Sequence, residues 1–149
     1  MKSLIMFAHP ILVPPGSNVD TAAKVFHNSS MSSECQALLT EKNYGTQKSK
    51  GKIQARFHDV GRDYGVDEVP GIVADLIAKL GYKVRLGSPE EALLCKKQIK
   101  HSLPKWFAVL GKSFDGRWIY WVDNLFLITP KGHGKEWSSC HMIFLVEEL

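Results

Sequence analysis

Hydrophobic positions follow two periods along this chain, and the change from one to the other divides it. Leu4–Val13 is an apolar run closed by Pro14-Pro15-Gly16, which predicts a buried first strand. His9-Pro10 interrupts the apolar core that a cleaved leader needs, so the strand reading is preferred. The Ser- and Asn-rich stretch that follows holds at most a helical turn from Val19 to Phe26. Ser33-Glu34-Cys35-Gln36 matches a capping box, and the helix it opens runs through Ala37–Lys42 to a stop at Asn43-Tyr44-Gly45. Residues 46–65 are polar and basic, predicting a long loop around a short strand at Ile53–Phe57. On the same ground, the stretch from Lys42 to Arg56 is expected to be mobile and dispensable for folding.

A helical period then sets in. Asp67 can cap a helix whose apolar positions Val69, Ile72, Val73, Leu76 and Leu80 recur every three or four residues, with Gly81 as its stop. Tyr82–Leu86 reads as a strand. Ser88-Pro89-Glu90-Glu91 supplies a cap, a first-turn proline and two acids for a further helix reaching about His101. Beyond it the period is that of strands. Trp106–Leu110 and Arg117–Val122 flank the turn Ser113-Phe114-Asp115-Gly116, Leu125–Thr129 continues the sheet, and a loop over Lys131–Ser139 leads to a last strand, Cys140–Val146. Neither a repeat nor a linker interrupts residues 1–149, which predicts one α+β domain with N-terminal helices packed on a C-terminal antiparallel sheet.

Composition adds little to this picture. With 44% apolar and 23% charged residues, the chain is ordinary for a globular protein. Three cysteines in no spaced motif argue against a disulfide framework and for a reducing, cytoplasmic setting. No apolar run reaches the length of a membrane helix. The net charge of +4 is gathered in two clusters, Lys42, Lys48, Lys50, Lys52 and Arg56, and Lys96, Lys97, Lys100 and Lys105. They would support weak, salt-sensitive binding to a polyanion, or simply be solvated.

Cys35 is the first candidate for chemistry. Near a helix N-terminus, unpaired N–H groups favour the thiolate, so its pKa is expected to fall below the ordinary value of about 8.5; the alternative is a small buried apolar residue. Cys140-His141 with Cys95 and His133 has metal-ligand types but no zinc spacing, and adjacent strand residues would face opposite ways, so neither a metal nor another cofactor is expected. The aromatics of Trp118-Ile119-Tyr120-Trp121 alternate between faces, one for the core and one for a partner.

The run Lys105-Trp106-Phe107-Ala108-Val109-Leu110-Gly111, followed by Asp115-Gly116-Arg117-Trp118-Ile119-Tyr120-Trp121-Val122-Asp123, resembles the second half of papain-like cysteine peptidases. The similar families are bacteriocin-leader-processing peptidases, Josephin-type deubiquitinases and viral leader proteases. The resemblance implies a papain-like fold with a nucleophilic cysteine opening an N-terminal helix, which is Cys35 here. It also implies a histidine before the first aromatic strand and an Asp or Asn at the end of the next, here Asp123. Lys105 stands at the histidine position, leaving His101, four residues upstream, as the candidate base. Two readings follow from the resemblance. The scaffold either has lost its base and binds a protein partner through Lys105, Trp106, Trp118 and Trp121, as an inhibitor, effector or immunity-type domain, or it remains a thiol hydrolase of peptidase or deamidase type acting on a peptide through Cys35, His101 and Asp123. Weak nucleic-acid binding is a third.

Overall fold

Three strands joined by tight turns form one end of the central sheet, in a computed structural model that describes residues 5–24, 26, 30–45, 51–99, 103–132 and 135–149. In chain order the strands are β1 (Ile5–Val13), β2 (Gly51–His58), β3 (Tyr64–Gly65), β4 (Val84–Leu86), β5 (Trp106–Phe114), β6 (Arg117–Val122), β7 (Leu125–Ile128), β8 (Glu136–Trp137) and β9 (Met142–Glu148). The helices are α1 (Val19–Ala23), α2 (Ser33–Leu38), α3 (Glu41–Tyr44), α4 (Val69–Leu80) and α5 (Pro89–Gln98), with a 3-10 turn at Val66–Glu68.

The predicted hairpin is present. β5 and β6 pair antiparallel, Trp106 opposite Val122 and Phe114 opposite Arg117. Asp115 and Gly116 between them have φ of 51° and 71°, the left-handed pair that a two-residue hairpin turn needs. The same device recurs one strand later: Val122 pairs with Leu125, and Asp123 and Asn124 carry φ of 49° and 72°. The main sheet runs β1-β2-β9-β5-β6-β7, with β4 also on β9. Its pairs are antiparallel except β5 with β9, which is parallel.

The sheet is therefore not confined to the C-terminal half. β2 lies between β1 and β9, with Ile53, Ala55 and Phe57 fully buried. This corrects the expectation of a mobile, dispensable segment from Lys42 to Arg56. Lys42 lies in α3, Tyr44 is buried, and residues 51–58 form an interior strand; residues 46–50 lie outside the described residues. Gln54 and Arg56 alternate with the apolar positions, and Arg56 is neutralised by Glu147 at 2.8 Å and stacked on the ring of Tyr82. The short strand expected at Ile53–Phe57 is present and longer, at Gly51–His58, and its polar residues form its second face.

Helices do not cover only one side. α1, α2, α3 and α5 pack with Phe57, Phe107, Trp121, Phe126 and Phe144, whereas α4 covers Ala108, Leu110, Ile143 and Leu145 on the opposite face. β9 is covered on both faces, so four consecutive residues, Ile143–Val146, are buried. Its second edge is divided: β5 pairs with Met142 and Ile143, and β4 with Leu145–Glu147. Gly111 permits this division, because a Cβ there would overlap the carbonyl of Gly87, where β4 departs.

α5 opens with a reciprocal cap, the Glu91 amide donating to Ser88 Oγ and the Ser88 amide to Glu91 Oε1. The Glu91 carboxylate is fully buried and takes both guanidinium nitrogens of Arg85, at 2.8 and 2.6 Å.

Candidate functional site

The sequence-predicted triad is not assembled among the described residues. Ser32, rather than Ser33, caps α2, its hydroxyl accepting the Cys35 amide at 3.1 Å. Cys35 is near the helix start as expected, but its side chain points into the core and has no exposure. Burial, reinforced by the neighbouring Glu34 carboxylate, pushes its thiol up to about 12. The direction is opposite to the expected one, and magnitudes explain why. A helix terminus favours an anion by about 0.3–1 kcal/mol, and α2 has only six residues. Complete burial of the thiol, with the Glu34 carboxylate beside it, outweighs that small gain.

This burial has a measurable consequence. Cys95, also fully buried, is likewise pushed up to about 12 by desolvation. The folded chain keeps two protons that the unfolded chain releases above pH 9, so the stability they contribute is complete below pH 9 and falls as pH rises toward 12. Between pH 8 and pH 10 the two thiols should remove about 3 kcal/mol. Urea unfolding under reducing conditions at the two pH values measures this; a loss below 1 kcal/mol contradicts the burial of both thiols.

His101 lies outside the described residues. Asp123 is exposed and is the first residue of a left-handed turn, its amide donating to the Lys105 carbonyl at 3.0 Å. Its carboxylate has no hydrogen bond or ion pair among the described residues. A turn requirement accounts for Asp123 without a catalytic role, since Asp and Asn tolerate this conformation best after glycine. Lys105 is exposed, its ammonium 4.8 Å from the ring of half-buried Trp106. Lys105, Asp123 and one edge of Trp121 do line a common shallow depression of about 220 Å³.

Trp121 itself is a core residue, 2% exposed and 4.7 Å from Phe126 between ring centroids. This corrects its assignment to a binding surface. Trp118 is half-buried on the opposite face of the sheet, so the four residues expected to bind a partner do not share one surface. Of the metal-ligand types, Cys95 is in the core, His133 lies outside the described residues, and Cys140-His141 occupy a turn before β9 rather than a strand. No group of three such residues converges among the described residues.

A larger cleft, of about 1140 Å³, opens where Trp118 meets the β3–β8 ladder. Tyr64 of β3 is opposite Trp137 of β8, and both are buried against half-buried Tyr120 and Trp118. The Tyr64 hydroxyl donates to the His141 carbonyl at 3.0 Å, and burial raises its pKa. The rim is acidic. Asp63 accepts the Ser139 amide at 2.7 Å. Glu68 accepts the Gly65 amide at 2.7 Å and pairs with Arg62 at 3.0 Å, which together hold its carboxyl below the ordinary range. Asp67 and Glu136 are exposed and carry no hydrogen bond or ion pair among the described residues; Lys135 is the cation on this rim.

Sequence patterns gave no separate role to Trp137 or to Tyr64. The available signal was a lone tryptophan in the otherwise polar loop from Lys131 to Ser139, a residue too large to sit in a loop without a surface to cover. Its partner on β3 is about seventy residues away, beyond the reach of any local pattern.

Compared with protein-family models, curated proteins and solved structures, the chain matches none.

Proposed function

We propose that the chain is a small protein-binding domain that takes a cationic segment of its partner into the aromatic-floored cleft. One observation carries the reading: Asp67 and Glu136 stand without partners among the described residues, above Tyr64, Trp118 and Trp137, on a chain whose net charge is +4. The local field at the cleft is opposite in sign to that of the whole molecule, so a lysine or arginine side chain is drawn there against the general repulsion. An ammonium or guanidinium over an aromatic face gains about 0.5–2 kcal/mol, and the carboxylates fix its position.

The scaffold belongs to the same proposal. A cysteine near the start of a helix in the first half, followed by a hairpin with Lys105 and Asp123 side by side across its open end, supports a papain-like descent. Lysine at the base position and a buried thiol favour binding over hydrolysis through Cys35. The polyanion reading draws less support. Lys96 and Lys105 lie over the rings of Trp121 and Trp106, and Arg56 is engaged by Glu147.

Titration of a lysine- and arginine-rich peptide, followed by tryptophan fluorescence, tests the reading. Binding should weaken about tenfold or more in Glu136→Lys, a fully exposed change that leaves the core intact, and also fall with rising salt. A glutamate-rich peptide should not bind. Equal binding of both peptides, or an unchanged affinity in Glu136→Lys and Trp118→Ala, would remove the cleft as the site.

A further inference from the structure

The turn that leads from the cleft into β9 brings together three groups that sequence alternation would have separated. The His141 amide donates to the Ser138 carbonyl at 3.0 Å, closing a tight turn. Side chains of residues 138, 140 and 141 therefore converge instead of pointing to alternate faces. Ser138 Oγ is 2.9 Å from Cys140 Sγ and 3.0 Å from His141 Nδ1, and Sγ is 3.6 Å from the same nitrogen. Ser138 also lines the cleft.

We propose that Cys140 is the chain's reactive thiol, a nucleophile served by His141 at the edge of the cleft, and that it exchanges with a disulfide presented there. The three cysteines divide sharply by position. Cys35 and Cys95 are sealed in the core, and Cys140 is exposed. Nucleophilic use of a thiol needs access together with a base in hydrogen-bonding range, and among the described cysteines Cys140 alone has both. The imidazole is half-buried, its ring centroid 5.3 Å from that of Trp137 and 6.1 Å from that of Tyr120. This packing fixes its orientation, and burial lowers its pKa, which favours the neutral ring.

A disulfide suits this site better than a carbonyl. Acyl transfer develops an oxyanion that needs preorganised donors, and the one hydroxyl beside Sγ, that of Ser138, is already shared with the imidazole. Exchange needs only an accessible thiolate and a line of approach. The Cys140 proton passes to His141 Nδ1. The thiolate attacks one sulfur of the incoming disulfide, a Cys140 S–S bond forms as the original S–S bond breaks, and the departing thiolate takes up the proton. One disulfide and one thiol thus give one mixed disulfide and one thiol. Cys35 and Cys95 are too deeply enclosed to resolve that product, so it persists as a covalent adduct.

Reaction of the intact chain with an uncharged aromatic disulfide such as dithiodipyridine tests this, with mass mapping of the adduct. One thiol per chain should react in the fast phase, and Cys140→Ser should abolish it. At pH 6.5 the His141→Phe variant, which retains a ring against Trp137, should react at about a tenth of the wild-type rate or below. Silence of Cys35 and Cys95 in each variant certifies that it is folded. A rate unchanged in His141→Phe overturns the proposal, as does an adduct on Cys35 or Cys95. The reagent is uncharged, so its reaction does not depend on the acidic rim and the result stands apart from the cationic-segment reading.

Discussion

Truncation of Trp121 to alanine should cost about 3–5 kcal/mol of folding stability, the range for deleting a large aromatic from a packed core. The indole is 2% exposed. Its ring centroid is 4.7 Å from Phe126 and 6.2 Å from Phe107, with the Lys96 ammonium over the ring at 4.9 Å. Its neighbours belong to β5, β7 and α5, elements that enclose the void from three sides and restrict collapse into it. A domain of ordinary stability has about 5–15 kcal/mol to lose, so the variant should be close to unfolding at physiological temperature. Urea denaturation read by circular dichroism gives the value. A cost below 1 kcal/mol, with loss of partner binding in its place, would restore Trp121 to the binding surface that the sequence suggested.

The second large effect is expected at Arg85. Its guanidinium meets the Glu91 carboxylate with two parallel hydrogen bonds and reaches Glu148 at 3.3 Å. Glu91 has no exposed side-chain surface, whereas that of Arg85 is 36% exposed. Removing the arginine leaves a buried carboxylate without its counter-charge, which costs about 3–5 kcal/mol in fully buried pairs. The partial exposure of Arg85 places Arg85→Ala near 3. The carboxylate also accepts the Ser88 amide, so α5 should fray at its first turn together with the global loss. Replacing both residues by apolar groups of similar volume should recover much of the deficit, because no charge is then stranded. Hydrogen exchange at the α5 N-terminus and denaturant unfolding separate the two contributions. A single mutant as stable as the parent would show that water already neutralises Glu91.

Much of this fold was legible locally. Caps at Ser88 and Gly81, the apolar spacing of α4 and the Asp115-Gly116 turn each act within a few residues, so sequence carries them directly. The failures share a cause: each residue had a local meaning that a distant partner overrode. Ile53–Phe57 read as a short strand set in a mobile loop, because the β1 and β9 edges that make β2 an interior strand are distant in sequence. Asp123 read as an orienting carboxylate because the residues around it resembled a peptidase hairpin, while its backbone conformation, which explains it more simply, is invisible in letters. Cys35 read as an activated thiol from its place near a helix start, and the sheet beneath the helix decides its protonation. The cleft left the weakest trace, since it depends on a two-residue ladder between Tyr64-Gly65 and Glu136-Trp137. The Ser138–Cys140–His141 convergence was hidden by reading Cys140 and His141 as the first residues of a strand.

The divided edge of β9 bears on how this chain reaches its folded state. β9 is the hub of the sheet, joined to β2 on one side and to β5 and β4 on the other. Its partners enter from three separate stretches of chain, and its contact with β2 joins residues about ninety positions apart. Such an arrangement raises contact order, and loop-closure entropy is spent before the long-range pairs return it. The meander of β5, β6 and β7 can form early, while the edges of β2 and β5 wait exposed for the strand that joins them. Folding on the millisecond-to-second scale of non-local β topologies follows, with a partly folded species whose open strand edges invite association with a second copy. During synthesis the β9 segment emerges after all its partners, and until then neither face of the sheet has its centre.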